Sequence, residues 1–219
     1  MRHNPSTVVV LTGPVPAEVL AAVGRSMNVA LIRPAEIRPA QTRPAEIRPA
    51  DSAEASQPGL EAATAALQRA GRTTAPYALV PADPLAALAA SWREMWDVSR
   101  QPGPAGFELE AARVLAAWRA GRFELPDYYL VLAADTGVGE HGPDFHLGPL
   151  RSARAHRVVP VAETEPAQQA AAVLHALGSL RHGPWWPGLD EVIETARRFY
   201  PDSLAEQPAA LAASPPRHS

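Results

Sequence analysis

TVVVLTGPVPAEVLAAV, residues 7–23, begins with an almost continuous apolar run that ends at a glycine, and a short helical pattern follows. Runs of this kind are typical of strands that are covered on both faces of a parallel sheet. Four more segments rich in β-branched or aromatic residues follow, with helical patterns between them. The predicted strands are residues 7–12, 28–33, 76–81, 128–133 and 157–161. This alternation predicts a three-layer α/β/α fold with a five-stranded, mainly parallel sheet.

Several helices have predicted ends or faces. Asp83 is the predicted N-cap of one helix, with Pro84 as its first residue. Thr164 is the predicted cap of another, and a last helix spans residues 189–200. The helix over residues 107–120 has an apolar stripe that predicts its buried face. The members of this stripe are Leu109, Ala112, Leu115 and Ala116.

The composition excludes several classes of chemistry. The chain has 219 residues and no cysteine, so it contains no disulfide, thiolate zinc site or cysteine nucleophile. All 20 lysine-or-arginine residues are arginine, which excludes a lysine Schiff base and a phosphate loop with lysine. A formal charge of -3 argues against a nucleic-acid partner. No apolar run reaches the ~20 residues that cross a bilayer, and we expect no signal peptide, no membrane partner and a cytoplasmic location.

We expect a single α/β domain over residues 1–205, with two segments of unusual composition. Residues 33–57 contain an imperfect repeat, RPAEIRPAQT followed by RPAEIRPADS. Recurrent proline removes backbone donors and favours extended chain, which predicts a flexible insertion after the second strand. A proline-rich ligand for a protein partner is the alternative interpretation. Residues 206–219, rich in alanine and proline, are predicted to be a disordered tail.

The turn after the first strand, with Thr12 and Gly13, is a candidate phosphate-binding site. A strand that enters a helix through a glycine turn presents backbone N–H groups and the positive helix end to an anion. A working phosphate loop also needs more glycine, a lysine and a serine or threonine for magnesium. This turn is short and contains Pro14 and Pro16 instead. We therefore interpret Thr12 and Gly13 as the remnant of such a site.

The order of these segments resembles that of the P-loop nucleoside and nucleotide kinases, and of the thymidylate kinases most closely. VVVLTGP (residues 8–14) is similar to the first strand of that family, and NVALIRP (28–34) to the second, which ends in Arg-x-Pro. YALVPADPLAALAA (77–90) is similar to the strand that ends in Asp-Arg and to the helix after it. LPDYYLVLAAD (125–135) and RVVPVAETEPAQQAAAVLHAL (157–177) are similar to the family's fourth and last strands with the helix that follows.

The resemblance implies a kinase-like fold and a remnant nucleotide site in which Asp83 lies near the family's acidic position. If nucleotide binding is retained, ATP and Mg²⁺ are the implied cofactors and a nucleotide is the implied small-molecule partner. The chain departs from the family in three ways. The lysine loop is absent, Pro84 replaces the arginine of Asp-Arg, and most of the arginine-rich lid after the fourth strand is missing. Phosphoryl transfer depends on positioning and charge neutralisation, so these departures predict a non-catalytic relative.

Arg151, Arg154 and Arg157 recur at intervals of three after the fourth strand. This spacing could place Arg151 and Arg154 on one side of a helical turn that faces the cleft. Arginines there would bind a phosphate or carboxylate through two parallel hydrogen bonds. A solvated helical face is the alternative interpretation.

The most polar segment, residues 135–146, follows the fourth strand, at the sheet edge where open α/β folds bind ligands. Its carboxylates and histidines are Asp135, Glu140, His141, Asp144 and His146. These side chains suit zinc or another divalent cation, with Asp135, His141 and His146 as candidate ligands, and a histidine–carboxylate pair could transfer protons. The spacing matches no standard ligand motif, so an ordinary surface loop is the alternative.

Two adjacent tryptophans lie between prolines in HGPWWPG, residues 182–188. They cannot both point inward from a regular element. We therefore expect one to pack beneath the last helix and the other to lie at the surface, where it marks either the edge of the core or a partner interface.

Three functions are compatible with these features. The first is a non-catalytic relative of the nucleotide kinases that acts by binding a small molecule or a protein. The second is an active nucleoside or nucleotide phosphotransferase that uses arginine in place of lysine. The third is a metal-dependent hydrolase or lyase centred on Asp135, His141 and His146.

Overall fold

The computed structural model describes residues 6–34, 56–96, 105–133 and 144–199. Within them, five parallel strands form one sheet in the order β2-β3-β1-β4-β5. The strands are β1 (Thr7–Thr12), β2 (Val29–Leu31), β3 (Tyr77–Val80), β4 (Tyr128–Leu132) and β5 (Val158–Val161). The first has the predicted bounds, β3, β4 and β5 are one or two residues shorter than predicted, and β2 has only three of its six predicted residues.

β1 lies at the centre of the sheet and is apolar between its terminal threonines. Its Val9 is level with Leu79 of β3 on one side and with Tyr128 of β4 on the other. Val8 and Val10 point to the opposite face from Val9, and all three are fully buried. A strand with two paired edges and two covered faces leaves no solvated position for a polar side chain, which explains the unbroken apolar run.

Helices cover both faces of the sheet, which confirms the predicted three-layer α/β/α class. They are α1 (Ala17–Val23), α2 (Ser56–Ala70), α3 (Ala86–Met95), α4 (Ala105–Arg119), α5 (Arg151–Ala153), α6 (Pro166–Gly178) and α7 (Leu189–Arg198). A π-helical turn, His146–Leu150, precedes α5. α1 and α6 pack against the face that contains Val9 and Leu11. α2, α3, α4 and α7 pack against the other face, which contains Val8 and Val10.

The buried face of α4 differs from the predicted one. Its buried residues are Phe107, Ala111, Val114 and Ala117. Leu109, from the predicted stripe, is 47% exposed. Both sets have helical spacing, so periodicity alone does not choose between them. The observed face places the ring of Phe107 in the core that also contains Trp92, whereas the predicted face would leave that ring in water.

The start of α3 also differs from the prediction. The helix begins at Ala86 rather than Pro84. The Asp83 carboxylate accepts a hydrogen bond from the backbone N–H of Leu85 at 2.9 Å. This Asx-type turn precedes the helix and delays its first residue, as aspartate side chains commonly do.

Three further features of the helical layers were not predicted. α6 is capped by Glu165 and not by Thr164, because the Glu165 carboxylate accepts the first two free N–H groups of the helix. α2 was missed because its buried positions are mostly alanine, which gives a weak apolar signal. The π-helical turn was missed because its sequence, HLGPL, contains glycine and proline.

The tryptophan pair has the predicted arrangement. Trp186 is buried, and its indole N–H donates to the carbonyl oxygen of Pro126 at 2.6 Å. Trp185 is 45% exposed. The Arg157 guanidinium lies 4.5 Å from the ring centre of Trp185, within the range of a cation–π contact.

Most of the predicted insertion and the whole of the predicted tail lie outside the described residues. The assignment of residues 1–205 to one domain therefore stays a prediction. Among the helices of the described ranges, none has both the length and the apolar character that a membrane span requires.

We expect Gly13→Ala to destabilise the fold much more than Gly121→Ala. Both glycines have positive φ, 92° and 66°. A Cβ at residue 13 would overlap the carbonyl oxygen of Leu132, whereas a Cβ at residue 121 meets no atom within 4 Å. Urea unfolding should show losses of about 1 kcal/mol for Gly121→Ala and at least about 3 kcal/mol for Gly13→Ala. Equal losses would contradict the packing of this turn against β4.

Candidate functional site

A cleft of about 500 Å³ opens at the carboxyl edge of the sheet, beside the ends of β1, β2 and β3. α1 leaves β1 on one face and α3 leaves β3 on the other, so the two connections diverge and leave a space. Its described lining residues are Leu11, Thr12, Gly13, Val15, Leu20, Arg33, Pro34, Pro81, Asp83 and Ala86. This lining is mostly apolar, and its charged members are Arg33 and Asp83.

Asp83 is held in one orientation by hydrogen bonds to both of its carboxylate oxygens. Oδ1 accepts from the backbone N–H of Leu85 at 2.9 Å. Oδ2 lies 2.7 Å from Nε2 of His146. The Asp83 side chain is only 5% exposed. The carboxylate is therefore fixed in the wall of the cleft and does not move as a surface side chain would.

His146, at the start of the π-helical turn, is buried behind Asp83. It packs against the rings of Tyr129 and Phe145, with centroids 5.4 and 5.7 Å away. Its second ring nitrogen, Nδ1, lies 3.7 Å from Oδ1 of Asp144. That same oxygen accepts the backbone N–H groups of His146 and Leu147 at 2.7 and 3.1 Å. Each ring nitrogen thus faces a carboxylate.

These two carboxylates set the protonation state of His146. Burial alone lowers the pKa of the imidazole, but the nearby charges of Asp83 and Asp144 outweigh burial and raise the pKa to about 9. For Asp144, burial raises the pKa, and the bonds from His146 and the backbone N–H groups outweigh this and lower it. At neutral pH the cluster is therefore an imidazolium between two carboxylates.

The hydroxyl group of Tyr129, in the middle of β4, borders this cluster. It is buried and has no hydrogen-bond partner of normal geometry among the described residues. Burial, and then the negative charge of Asp83, raise the pKa of this phenol well above its ordinary value. Burial and the neighbouring carboxylate therefore both favour the neutral form of Tyr129.

The structure brings three of the five predicted phosphate-site residues together, since Thr12, Gly13 and Asp83 all line the cleft. Arg151 and Arg154 are not among its lining residues. The Arg154 guanidinium donates to the carbonyl oxygens of Trp185 at 2.6 Å and Ala153 at 2.8 Å. Backbone carbonyls therefore hold the Arg154 side chain, and the phosphate-binding role of Arg151 and Arg154 stays a prediction.

Arg157, the third arginine of that series, is buried and has a structural role. Its guanidinium donates to the carbonyl oxygens of Pro184, Asp127 and Gly183 at 2.7, 2.8 and 3.0 Å. Asp127 directly precedes β4 and Arg157 directly precedes β5. These bonds fasten the segment between α6 and α7 to the amino edge of the sheet, opposite the cleft.

The predicted metal site has only one described member. Asp135 and His141 lie outside the described residues, and Nε2 of His146 is bonded to Asp83. Within the described ranges, no group of three or more histidine, aspartate or glutamate residues has an arrangement that could hold a metal ion. The metal-binding role of Asp135, His141 and His146 stays a prediction.

The turn between β1 and α1 has few backbone donors for a phosphate. Pro14 and Pro16 have no N–H group. Pro16 is the residue before α1, and no side chain caps this helix of seven residues. The candidate phosphate site at Thr12 and Gly13 therefore has fewer backbone N–H donors than a turn without prolines would offer.

Sequence reasoning missed two features of the cleft, the charge of Arg33 and the pairing of His146 with Asp83. The members of the pair are 63 residues apart in the chain. One signal was available, since His146 lies between the apolar residues Phe145 and Leu147 and close to Leu150. That flanking pattern is more typical of a buried histidine than of a loop ligand.

Comparisons of the chain with protein-family models, with curated proteins and with solved structures find no match in any of the three.

We expect His146 to make the stability depend on pH in the alkaline range. Its folded pKa of about 9 is above the ordinary value of 6.5. The stabilisation is therefore fully present below pH 6.5 and is lost as the pH rises through 9. Urea unfolding should show a loss of up to about 3 kcal/mol over this range.

His146→Gln should remove this alkaline loss, because the substituted side chain does not titrate. His175→Gln is the matched control, since His175 is an exposed histidine of α6 and should keep the parental pH profile. An unchanged pH profile in His146→Gln would show that another group causes the dependence.

Proposed function

We propose that this protein is a non-catalytic relative of the nucleotide kinases that binds a small molecule in the cleft at the carboxyl edge of its sheet. The observation that carries the proposal is the cleft itself, about 500 Å³ in volume, with mostly apolar walls and two charged residues, Arg33 and Asp83. Small-molecule sites have this size and this combination of apolar walls with a few fixed polar groups.

Binding without phosphoryl transfer is supported by what the chain lacks in sequence and by how its arginines are used. The sequence contains no lysine to neutralise a transferred phosphate. Pro14 and Pro16 remove two backbone donors from the turn that would hold that phosphate. Arg154, an alternative cation, is bonded to the carbonyl oxygens of Trp185 and Ala153. A phosphotransferase that relies on arginine therefore has less support.

The kinship with nucleotide kinases is part of this proposal and rests on the similar segments and on the central position of β1 among parallel neighbours. A cytoplasmic location is part of it too, because a chain without cysteine suits a reducing compartment. The metal-dependent hydrolase has less support, since the described part of its candidate site, His146, is engaged by Asp83.

We expect Ala86→Trp to abolish binding in the cleft and Ala90→Trp to leave it unchanged. Both alanines are exposed and lie one turn apart on α3, but only Ala86 lines the cleft. A fragment library screened by ¹H–¹⁵N NMR should give ligands that shift the signals of Thr12 and Gly13. These ligands should bind at least about tenfold more weakly to Ala86→Trp. Equal binding by the two variants, or no ligand at these residues, would overturn the proposal.

We also expect no phosphoryl transfer from ATP to a panel of nucleosides and nucleoside monophosphates. Calorimetric titration of ATP should show no micromolar, magnesium-dependent binding, because the donors and the lysine of a phosphate loop are missing. Micromolar binding that requires Mg²⁺ would support an active kinase instead.

A further inference from the structure

The two charged residues of the cleft lie at the ends of neighbouring strands. β2 and β3 are parallel and adjacent, with Leu31 level with Leu79. Arg33 follows β2 and Asp83 follows β3, so both emerge at the same edge of the sheet. Within the described part of the chain, Arg33 has no ion pair and Asp83 is paired with His146 and not with Arg33. The cleft therefore presents two opposite charges that do not neutralise each other.

The wall at Asp83 keeps a net negative charge although His146 lies behind it. The imidazolium is shared by two carboxylates, since Nε2 lies 2.7 Å from Asp83 and Nδ1 lies 3.7 Å from Asp144. One positive and two negative charges leave a net charge of about -1 on this cluster. Each oxygen of Asp83 accepts one bond from the protein. An ionised carboxylate has about four acceptor sites, and the small exposed part of the Asp83 side chain, which lines the cleft, is where a donor of a ligand would bind.

Most of the other residues that line the cleft are apolar. The side chains of Leu11, Val15 and Leu20 line it, together with Pro34. Apolar wall residues exclude water from the part of a ligand that they cover, and ionic hydrogen bonds are stronger where water is excluded. It also makes an unpaired charge in the ligand or in the wall costly.

We infer that the cleft selects a zwitterionic small molecule, whose ammonium group binds Asp83, whose carboxylate or other anionic group binds Arg33, and whose apolar body lies against Leu11, Val15 and Leu20. This inference rests on the proposed function and specifies its class of ligand. A simple anion would meet Arg33 but also the negative cluster at Asp83. A simple cation would meet Asp83 but also Arg33. Only a molecule with both charges satisfies both walls, which is how opposed charges produce specificity.

Three probes of equal skeleton test this inference. 4-(Aminomethyl)benzoate has both charges, benzylamine has only the ammonium group, and benzoate has only the carboxylate. NMR titration of the intact chain at neutral pH should show that the zwitterion binds at least about tenfold more tightly than either single-charge probe. The shifted signals should include Thr12, Gly13 and Ala86. No binding of the zwitterion, or equal binding of the three probes, would overturn the inference.

Arg33→Gln removes the positive charge of the cleft and leaves Asp83 in place. It does not disturb the core, because Arg33 is exposed. In this variant the zwitterion should bind no more tightly than benzylamine. Arg25→Gln is the matched control, since Arg25 is an exposed arginine that does not line the cleft, and it should keep the parental preference. Unchanged preference in Arg33→Gln would overturn the assignment of the anionic end.

Asp83→Asn tests the other end. It should remove the preference of the zwitterion over benzoate, and the dispersion of its NMR spectrum reports whether the variant folds. If it does not fold, the ratio measured in Arg33→Gln still decides the inference. If library ligands bind in the cleft without any preference for zwitterions, this inference is overturned and the proposed function is not. Absence of every ligand from the cleft would overturn both.

Discussion

The ion pair between Asp83 and His146 determines the shape of the cleft wall. It joins Asp83, which lies between β3 and α3, to His146 in the π-helical turn that follows β4. Oδ2 of Asp83 and Nε2 of His146 are 2.7 Å apart. Both side chains are almost fully buried, so removal of His146 would leave the Asp83 carboxylate without its charged partner, at a cost of about 3–5 kcal/mol. The same contact therefore fixes the position of the Asp83 carboxylate and the packing of His146 against Tyr129. The geometry of the cleft and the anchoring of the chain after β4 depend on one interaction.

The strands could be predicted from the sequence because burial on both faces demands a continuous apolar run. β1 shows this most clearly, since Val8, Val9 and Val10 have no exposed surface. The face of α4 could not be predicted, because Leu109 and Phe107 belong to two stripes of equal periodicity. Which stripe is buried depends on the neighbours that α4 meets in the folded chain, and a local pattern contains no information about those neighbours.

The candidate site, like the fold, could be predicted from the sequence only in part. Asp83 could be assigned to the site only from its match to the acidic position of the resembled family, and the cleft that it lines lies at the carboxyl edge of the sheet. Its pairing with His146 could not be predicted, because 63 residues separate the two and only tertiary packing brings them together. The partner of Arg154 could not be predicted for a related reason. Its guanidinium donates to the backbone carbonyl oxygen of Trp185. Every residue has a carbonyl group, so the sequence does not show which carbonyl oxygen lacks a backbone donor.

Gly13 illustrates how a residue that resembles part of a phosphate site can be required for packing alone. Its φ of 92° and the closeness of its Cα to the carbonyl oxygen of Leu132 exclude any side chain, whether or not an anion binds nearby. The glycine therefore accounts for the close approach of the turn to β4 and is no independent support for phosphate binding. Arg33 and Asp83 differ in this respect, because Arg33 has no ion pair among the described residues and the cluster of Asp83, His146 and Asp144 keeps a net negative charge. The inferred zwitterionic ligand would use these two charges, whereas the packing of the turn accounts for the glycine.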